Sequence, residues 1–392
     1  MELPVTWTLH NSGGFVLVGR CAGLELSHDN TALREDLKVA AIDLNKTLIM
    51  SKSGTLHGND ETDWRWWDDS IPAKLQALAL KKYTIIITSN QGRLTEFDGS
   101  EAPEAAPFKR KMEFIMRDLK IPVTLLVACA NDIYRKPRPG LWSIIPKVTG
   151  NEGCVIDKAQ SFVVGDAAGR ENDFSDSDVH WAMNAGVPFY TPEVFFLGKD
   201  PEPLGHKFHP EWYLNTNKEE EDLVNMVHFS SLSMIILIGL PGAGKSTFYR
   251  RVLQDRGFTR RDARSYDSRE SFVHAVDEAM TQGIPVVIDD LNIDIESRTT
   301  WISMAAKHGI SADAFCFMSP TNLCLHNDTV RALGGPLMNL ENRLVYPRLH
   351  FLDLLPRFQK PTTCEGFRAV HEINFRWSGT EEERDIWRRF WL

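Results

Sequence analysis

The chain has 392 residues, 43% of them hydrophobic and 25% charged, with a net charge of −9. That length exceeds what one core normally organises, so two domains are expected. The composition excludes a collagen-like or disordered chain, and the acidic balance excludes a surface that attracts nucleic acid everywhere, leaving only a local basic patch for such contacts.

The N-terminal MELPVTWTLHNSGG lacks the basic stretch and apolar core of a secretory signal. Short apolar runs then alternate with longer amphipathic ones, the pattern of a parallel α/β sheet. Runs at 15–19, 38–43, 83–89, 123–129 and 161–166 read as strands, and 71–82 and 108–119 as helices beginning at or just after a proline. Residues 199–231 carry Pro, Gly and the acidic run EEED, which reads as a linker and sets the expected domains at 1–221 and 222–392. Alternation restarts with strands at 233–239, 285–290 and 313–318 and a helix from Lys245. The longest apolar run, MIILIGL (234–240), is too short to span a bilayer. Cys21, Cys129, Cys154, Cys316, Cys324 and Cys364 form no CxxC pair, which argues for a reducing compartment rather than a zinc ribbon or disulfide framework. A soluble intracellular protein with no membrane partner is expected.

AAIDLNKTLI (40–49) is a buried strand that ends in a polar loop. A carboxylate in the position of Asp43 can attack phosphorus and form an acyl phosphate. Such a site also needs polar groups for the phosphoryl oxygens, a lysine to neutralise charge and further acids for Mg²⁺. IIITSNQG supplies Ser89 and Asn90 at the next strand end, and YRKPRPG supplies Lys136. FVVGDAAGRENDFSDSD supplies Asp166 at a third strand end, Arg170 as a substrate contact and Asp173 seven residues after Asp166. Oxygen ligands of this kind suit Mg²⁺, with Asp43 and Asp166 the candidate pair.

GLPGAGKST (239–247) satisfies GxxxxGK[ST], follows an apolar strand and opens a helix. Gly239, Gly242 and Gly244 allow a backbone wrap whose N–H groups face phosphate oxygens. Lys245 reaches the β- and γ-phosphates, Ser246 ligates Mg²⁺ and Thr247 completes the loop. IPVVIDDLN ends a strand on Asp289 and Asp290, either of which suits the metal or its water shell. TRRDARSYDSRES sets Asp262 among Arg260, Arg261, Arg264 and Arg269, an arrangement equally readable as a base beside a polyanion or as a solvated charge cluster. Arg331 suits a clamp on the transferring phosphate. The closing third interleaves Arg and Lys with Tyr, Phe and Trp; core packing is the default for those aromatics, and a nucleic-acid groove the alternative.

Together these segments resemble the bifunctional polynucleotide kinase 3′-phosphatase family of DNA end-repair enzymes. AAIDLNKTLI, DWRWWDDSIPAKL, TSNQG, YRKPRPGLW, VVGDAAGRENDFSDSD and PFYTPEVFFLG resemble its haloacid-dehalogenase-type phosphatase, and GLPGAGKSTF, the Asp262 segment, VIDDLNIDIESR and EGFRAVHEINFRW resemble its P-loop kinase. The resemblance spans nearly all of residues 38–377 and implies two α/β domains with Rossmann-like parallel sheets. It further implies Mg²⁺ and ATP as cofactors, DNA ends as partners and a nuclear location. No forkhead-associated domain is present, so docking to phosphorylated scaffold proteins is not expected. By the same resemblance Asp43 is the phosphatase nucleophile, Ser89 and Asn90 form the second motif, Lys136 is the charge-neutralising lysine and Asp166 a Mg²⁺ ligand. Lys245 and Ser246 contact phosphate and metal, Asp262 is the base for a 5′-hydroxyl and Arg331 a lid arginine. Thr329 stands where a further lid arginine is expected.

The family pattern at the first motif is Asp-x-Asp-Gly-Thr, whereas this chain has Asp43-Leu44-Asn45-Lys46-Thr47. The second aspartate is the general acid, and an amide has no titratable proton to give. An amide introduced to trap a complex leaves Lys46 unexplained. A natural lineage that has lost phosphatase activity accounts for both residues, and a third account gives the proton to another acid such as Asp173. The expected function is therefore 5′-end phosphorylation together with slow removal, or binding, of 3′-phosphates. Two alternatives are a small-molecule kinase fused to a sugar-phosphate phosphatase and a non-catalytic binder of 3′-phosphate break ends.

Overall fold

The computed structural model describes residues 4–21, 36–55, 60–96, 98–214 and 233–392. Its contacts divide the chain into two units, one of Met1–Lys207 with Arg389–Leu392 and one of Phe208–Arg388. The boundary expected near 222 lies outside the described residues.

In the first unit the strands are β1 (Val5–His10), β2 (Val16–Cys21), β3 (Val39–Asp43), β4 (Ile49–Met50), β5 (Arg65–Trp66), β6 (Thr84–Asn90), β7 (Val123–Ala128), β8 (Phe162–Val164) and β9 (Phe189–Tyr190). Seven of them form one sheet in the order β1-β2-β7-β6-β3-β8-β9. The run from β7 to β9 is parallel, as expected, but β2 joins β7 antiparallel and β1 caps the edge as an antiparallel hairpin partner. β3 is buried along its whole length, which is why VAAID is unbroken by polar residues. Two apolar layers cover the sheet faces, one around Ile42, Ile87 and Leu125 and one around Ala41, Ile86 and Trp181. The helix Ile71–Leu80 has Pro in its first turn and ends where Lys82 turns left-handed at φ 64°.

The second unit holds β10 (Met234–Ile238), β11 (Thr259–Asp262), β12 (Val286–Asp289), β13 (Ala312–Phe317) and β14 (Ala369–Ile373) in the all-parallel order β11-β12-β10-β13-β14. β10, β12 and β13 are wholly buried. In both units the parallel strands run into loops at their C-terminal ends, where α/β sheets place ligands. Among the described residues, no helix is long and apolar enough to cross a membrane.

Candidate active sites

At the C-terminal edge of the first sheet, four separate segments converge. β3 delivers Asp43, the loop beyond β7 delivers Lys136, the end of β8 delivers Asp166 and the helix Ser177–Ala185 delivers Asp178. Lys136 Nζ lies 2.6 Å from Asp43 Oδ1, 2.7 Å from Asp178 Oδ1 and 3.3 Å from Thr88 Oγ1. Its ammonium also sits 5.9 Å from the ring centre of the fully buried Trp181. Gly165 makes the close approach possible, because a Cβ there would overlap the Asp178 carboxylate.

One lysine faces three acids. Burial pushes the Asp43 pKa up, and Asp178 and Asp166 push it further, against the pull of Lys136. Asp166 is raised by burial and by Asp178. Burial opposes the Lys136 charge, yet Asp178 and Asp43 outweigh it and raise its pKa. Oxygens of Asp43, Asp166 and Asp178 all lie within 4.8 Å of one another, the one such set among the described residues. A hard divalent cation fits this uncompensated negative charge and all-oxygen donor set.

The second site surrounds the loop after β10. Gly239, Gly242 and Gly244 all take positive φ, and a Cβ on Gly242 would strike the Cys324 carbonyl. A cavity of about 1060 Å³ opens against this loop, lined by Lys245, Ser246, Thr247, Asp262, Arg331 and Arg343 among others. Lys245 Nζ folds back onto the carbonyls of Gly239 (2.6 Å) and Leu240 (3.0 Å), and burial pushes its pKa down to about 8. Ser246 Oγ donates to Asp289 Oδ2 at 3.0 Å, so the hydroxyl and the carboxylate form a ready pair for Mg²⁺. Of the two strand-end acids, Asp289 therefore serves the loop, while Asp290 pairs with the exposed Arg269 at 3.3 Å.

The polynucleotide kinase 3 phosphatase family matches residues 38–196. A bifunctional polynucleotide phosphatase/kinase of Schizosaccharomyces pombe is 33% identical over 92% of this chain and 84% of its own length. The chain belongs to the bifunctional polynucleotide phosphatase/kinase family. A protein of Acanthamoeba polyphaga mimivirus, whose name carries the same pair of activities, aligns at 27% identity over 92% of this chain and 90% of its own. The polynucleotide 3′-phosphatase ZDP of Arabidopsis thaliana is 34% identical over 44% of this chain and 26% of its own length.

Within this phosphatase/kinase framework several expected residues take particular places. Asn90 holds the Lys136 backbone from both sides, donating to its carbonyl and accepting from its N–H, each at 3.0 Å. Its amide thus positions the lysine. Ser89 is buried and accepts a hydrogen bond from Gln91 at 3.0 Å. Asp173 is spent within its own loop, accepting from the N–H groups of Ala168 (3.1 Å) and Arg170 (3.0 Å) and from Arg170 Nε (2.9 Å). Arg170 is further tied to Glu193 at 3.2 Å. The third carboxylate at the centre is Asp178, twelve residues after Asp166. Asn45 is half-buried and, among the described residues, its amide makes no side-chain hydrogen bond, while the exposed Lys46 takes φ 60°.

In the second unit Asp262 is gripped by Arg264 (2.9 and 2.6 Å) and by Arg260 (2.9 Å), which hold its pKa below the usual carboxylate range despite burial. Arg331 pairs with Asp328. Thr329 is buried and turns its hydroxyl back to the Leu325 carbonyl at 2.9 Å. Of the several arginines lining the cavity, Arg343, on the loop beyond the helix Thr321–Leu333, reaches the phosphate loop itself, donating to Ser246 Oγ at 3.2 Å. The aromatics of the last third divide between roles. Phe351 and Phe367 are buried, whereas Phe375 and Trp377 flank Arg376 on the cavity wall, with Phe375 stacked at 5.5 Å on the largely buried Trp387.

Proposed function

We propose that this protein processes DNA ends: the second unit transfers the γ-phosphate of ATP to a 5′-hydroxyl, and the first binds 3′-phosphate ends and releases the phosphate slowly. The observation that carries this reading is the pairing, on one chain, of a carboxylate triad closed around Lys136 with a phosphate loop facing an arginine-lined cavity.

In the first unit an Asp43 oxygen attacks phosphorus, an O–P bond to Asp43 forms and the bond from phosphorus to the 3′-oxygen breaks. Lys136 offsets the charge of the attacking Asp43 carboxylate and of the phosphoryl oxygens, so that the two anions can approach. Asp43, Asp166 and Asp178 would hold Mg²⁺, which when bound supplies further positive charge at the same place. The leaving 3′-oxygen needs a proton, and water must later be deprotonated to free Asp43. Asn45 stands where an acid would do both, and an amide can only hydrogen-bond. Release is therefore slow while end binding persists.

In the second unit the loop N–H groups and Lys245 cradle the ATP phosphates, and Ser246 and Asp289 would hold Mg²⁺. Asp262 stays ionised because two arginines hold it, so it orients the 5′-hydroxyl and accepts its proton late, as a loose phosphoryl-transfer transition state requires. Arg331 and Arg343 stabilise the transferring phosphoryl group, with Arg343 taking the place of the arginine that Thr329 does not supply. Phe375 and Trp377 beside Arg376 offer stacking faces and charge for a strand end, a feature that favours a polynucleotide over a small sugar. The family resemblance makes the nucleus the proposed place of work.

A separation-of-function pair tests the reading on one nicked duplex with a 5′-hydroxyl and a 3′-phosphate. Lys245→Ala should lose 5′ phosphorylation and keep 3′-phosphate handling, and Asp43→Ala should do the reverse. Loss of both activities in either variant refutes the assignment of one activity to each unit.

A further inference from the structure

Arg389–Leu392 group with the first unit, and their contacts fall on both elements that carry the Lys136–Asp178 ion pair. Asn184, on the helix that carries Asp178, donates through Nδ2 to the carbonyls of Pro137 (2.8 Å) and Phe390 (2.7 Å) and accepts from the Phe390 N–H at 2.9 Å. Arg138, two residues beyond Lys136, is buried and donates through Nε to the Trp391 carbonyl at 3.1 Å. Two further donors go to Asp132 O (2.6 Å) and Asn131 Oδ1 (2.8 Å). The Phe390 ring stacks at 3.7 Å on His180, two residues beyond Asp178, and Trp391 is 2% exposed.

We propose that Phe390 and Trp391 are positioning residues for the phosphatase centre, clamping the Lys136 loop to the Asp178 helix through Asn184 and Arg138. The reason is one of satisfied polar groups. Without the Trp391 carbonyl a buried guanidinium loses an acceptor, and without Phe390 the Asn184 amide keeps only Pro137; unpaired buried donors are costly and drive a loop outward toward water. An outward shift of the Lys136 loop separates Nζ from Asp178 and Asp43 together. The clamp acts mainly through backbone carbonyls, so a side-chain change that keeps the packing should preserve it.

The proposal builds on the phosphatase reading of Asp43, but its first readout does not. Hydrogen–deuterium exchange of the full chain is compared with that of a chain ending at Arg389. Exchange should quicken by about tenfold or more in residues 133–140 and 177–185 and stay unchanged in the helix Ala105–Asp118 of the same unit. In the same preparations kcat for 3′-phosphate release, measured in an Asn45→Asp background, should fall about tenfold with KM within about threefold, and 5′ phosphorylation should not change. Trp391→Phe, which retains the carbonyl, should restore both readouts. Unchanged exchange in the two segments overturns the proposal, as does quickening that extends to Ala105–Asp118, since that marks a general structural role. Confined quickening with unaltered kcat overturns the catalytic part. If the Asn45→Asp chain releases no phosphate at all, the phosphatase reading fails, and the exchange pattern still decides the clamp.

Discussion

The Lys136 ammonium lies 2.7 Å from Asp178 with both side chains 2% exposed, and the same ammonium touches Asp43 at 2.6 Å. A lysine so enclosed is held in place by charge and not by chance packing. Removing one partner of a buried ion pair leaves the other uncompensated. Lys136→Met should therefore destabilise the first unit by about 3–5 kcal/mol and abolish 3′-phosphate release. Denaturant unfolding of the first transition and a release assay check this, with 5′ phosphorylation expected to persist at temperatures where the unit has unfolded only in part.

The identity of the third carboxylate is separately testable. Asp178→Asn should raise the Mg²⁺ concentration needed for half-maximal phosphate release by about tenfold or more. Asp173→Asn, which removes a carboxylate already spent on Ala168 and Arg170, should move that concentration by less than about threefold. A magnesium titration of the two variants side by side separates the roles, and equal effects would contradict the arrangement seen.

That contrast also marks where the sequence stops being legible. Asp43, Lys136 and Asp166 stand beside strands whose unbroken apolar runs announce burial, so their convergence at one sheet edge follows from the α/β pattern itself. In DFSDSD three aspartates compete, and which one turns inward depends on a helix starting at Ser177 and on the empty space over Gly165. Neither is visible in composition. The strand β1 has no apolar run to announce it, because VTWTLH lies at a sheet edge where its residues are half-buried or exposed. Arg343 has no local signature in the sequence, because a loop brings it back to the phosphate loop from 97 residues away. Thr329, where a further lid arginine is expected, is buried, and Arg343 reaches Ser246 from that loop instead.

The depressed pKa of Lys245 has a measurable consequence for nucleotide binding. Burial holds it near 8 when it rests on loop carbonyls, and a triphosphate beside it favours the charged form. Above the free-state value the lysine is mostly neutral, so ATP binding must draw in a proton; well below it the lysine is already charged and no uptake occurs. Calorimetry in buffers of differing ionisation enthalpy should show uptake approaching about one proton near pH 9 and about none near pH 6.5. Lys245→Met should remove the uptake at the higher pH.

Lys46 carries a backbone cost. Its φ of 60° is a left-handed conformation that disfavours a residue with a Cβ by about 1–2 kcal/mol. Lys46→Gly removes that penalty but gives back flexibility in the unfolded chain, so a net gain of about 0.5–1 kcal/mol in the first unit is expected. Thermal unfolding of the first transition reads it directly. A loss of stability would show that the lysine side chain compensates for its backbone, for example through its favourable charge beside Asp166.

In the function proposed above, the first unit is a phosphoaspartate site complete except for its acid. The direct measurement is 3′-phosphate release from a nicked duplex in Mg²⁺ by the chain as it stands, by Asn45→Asp and by Asp43→Ala. The account predicts slow release by the unaltered chain, a gain of about 10²–10⁴-fold in Asn45→Asp and none in Asp43→Ala. Rapid release by the unaltered chain, with no gain on Asn45→Asp, would contradict it and assign the proton transfer to another residue.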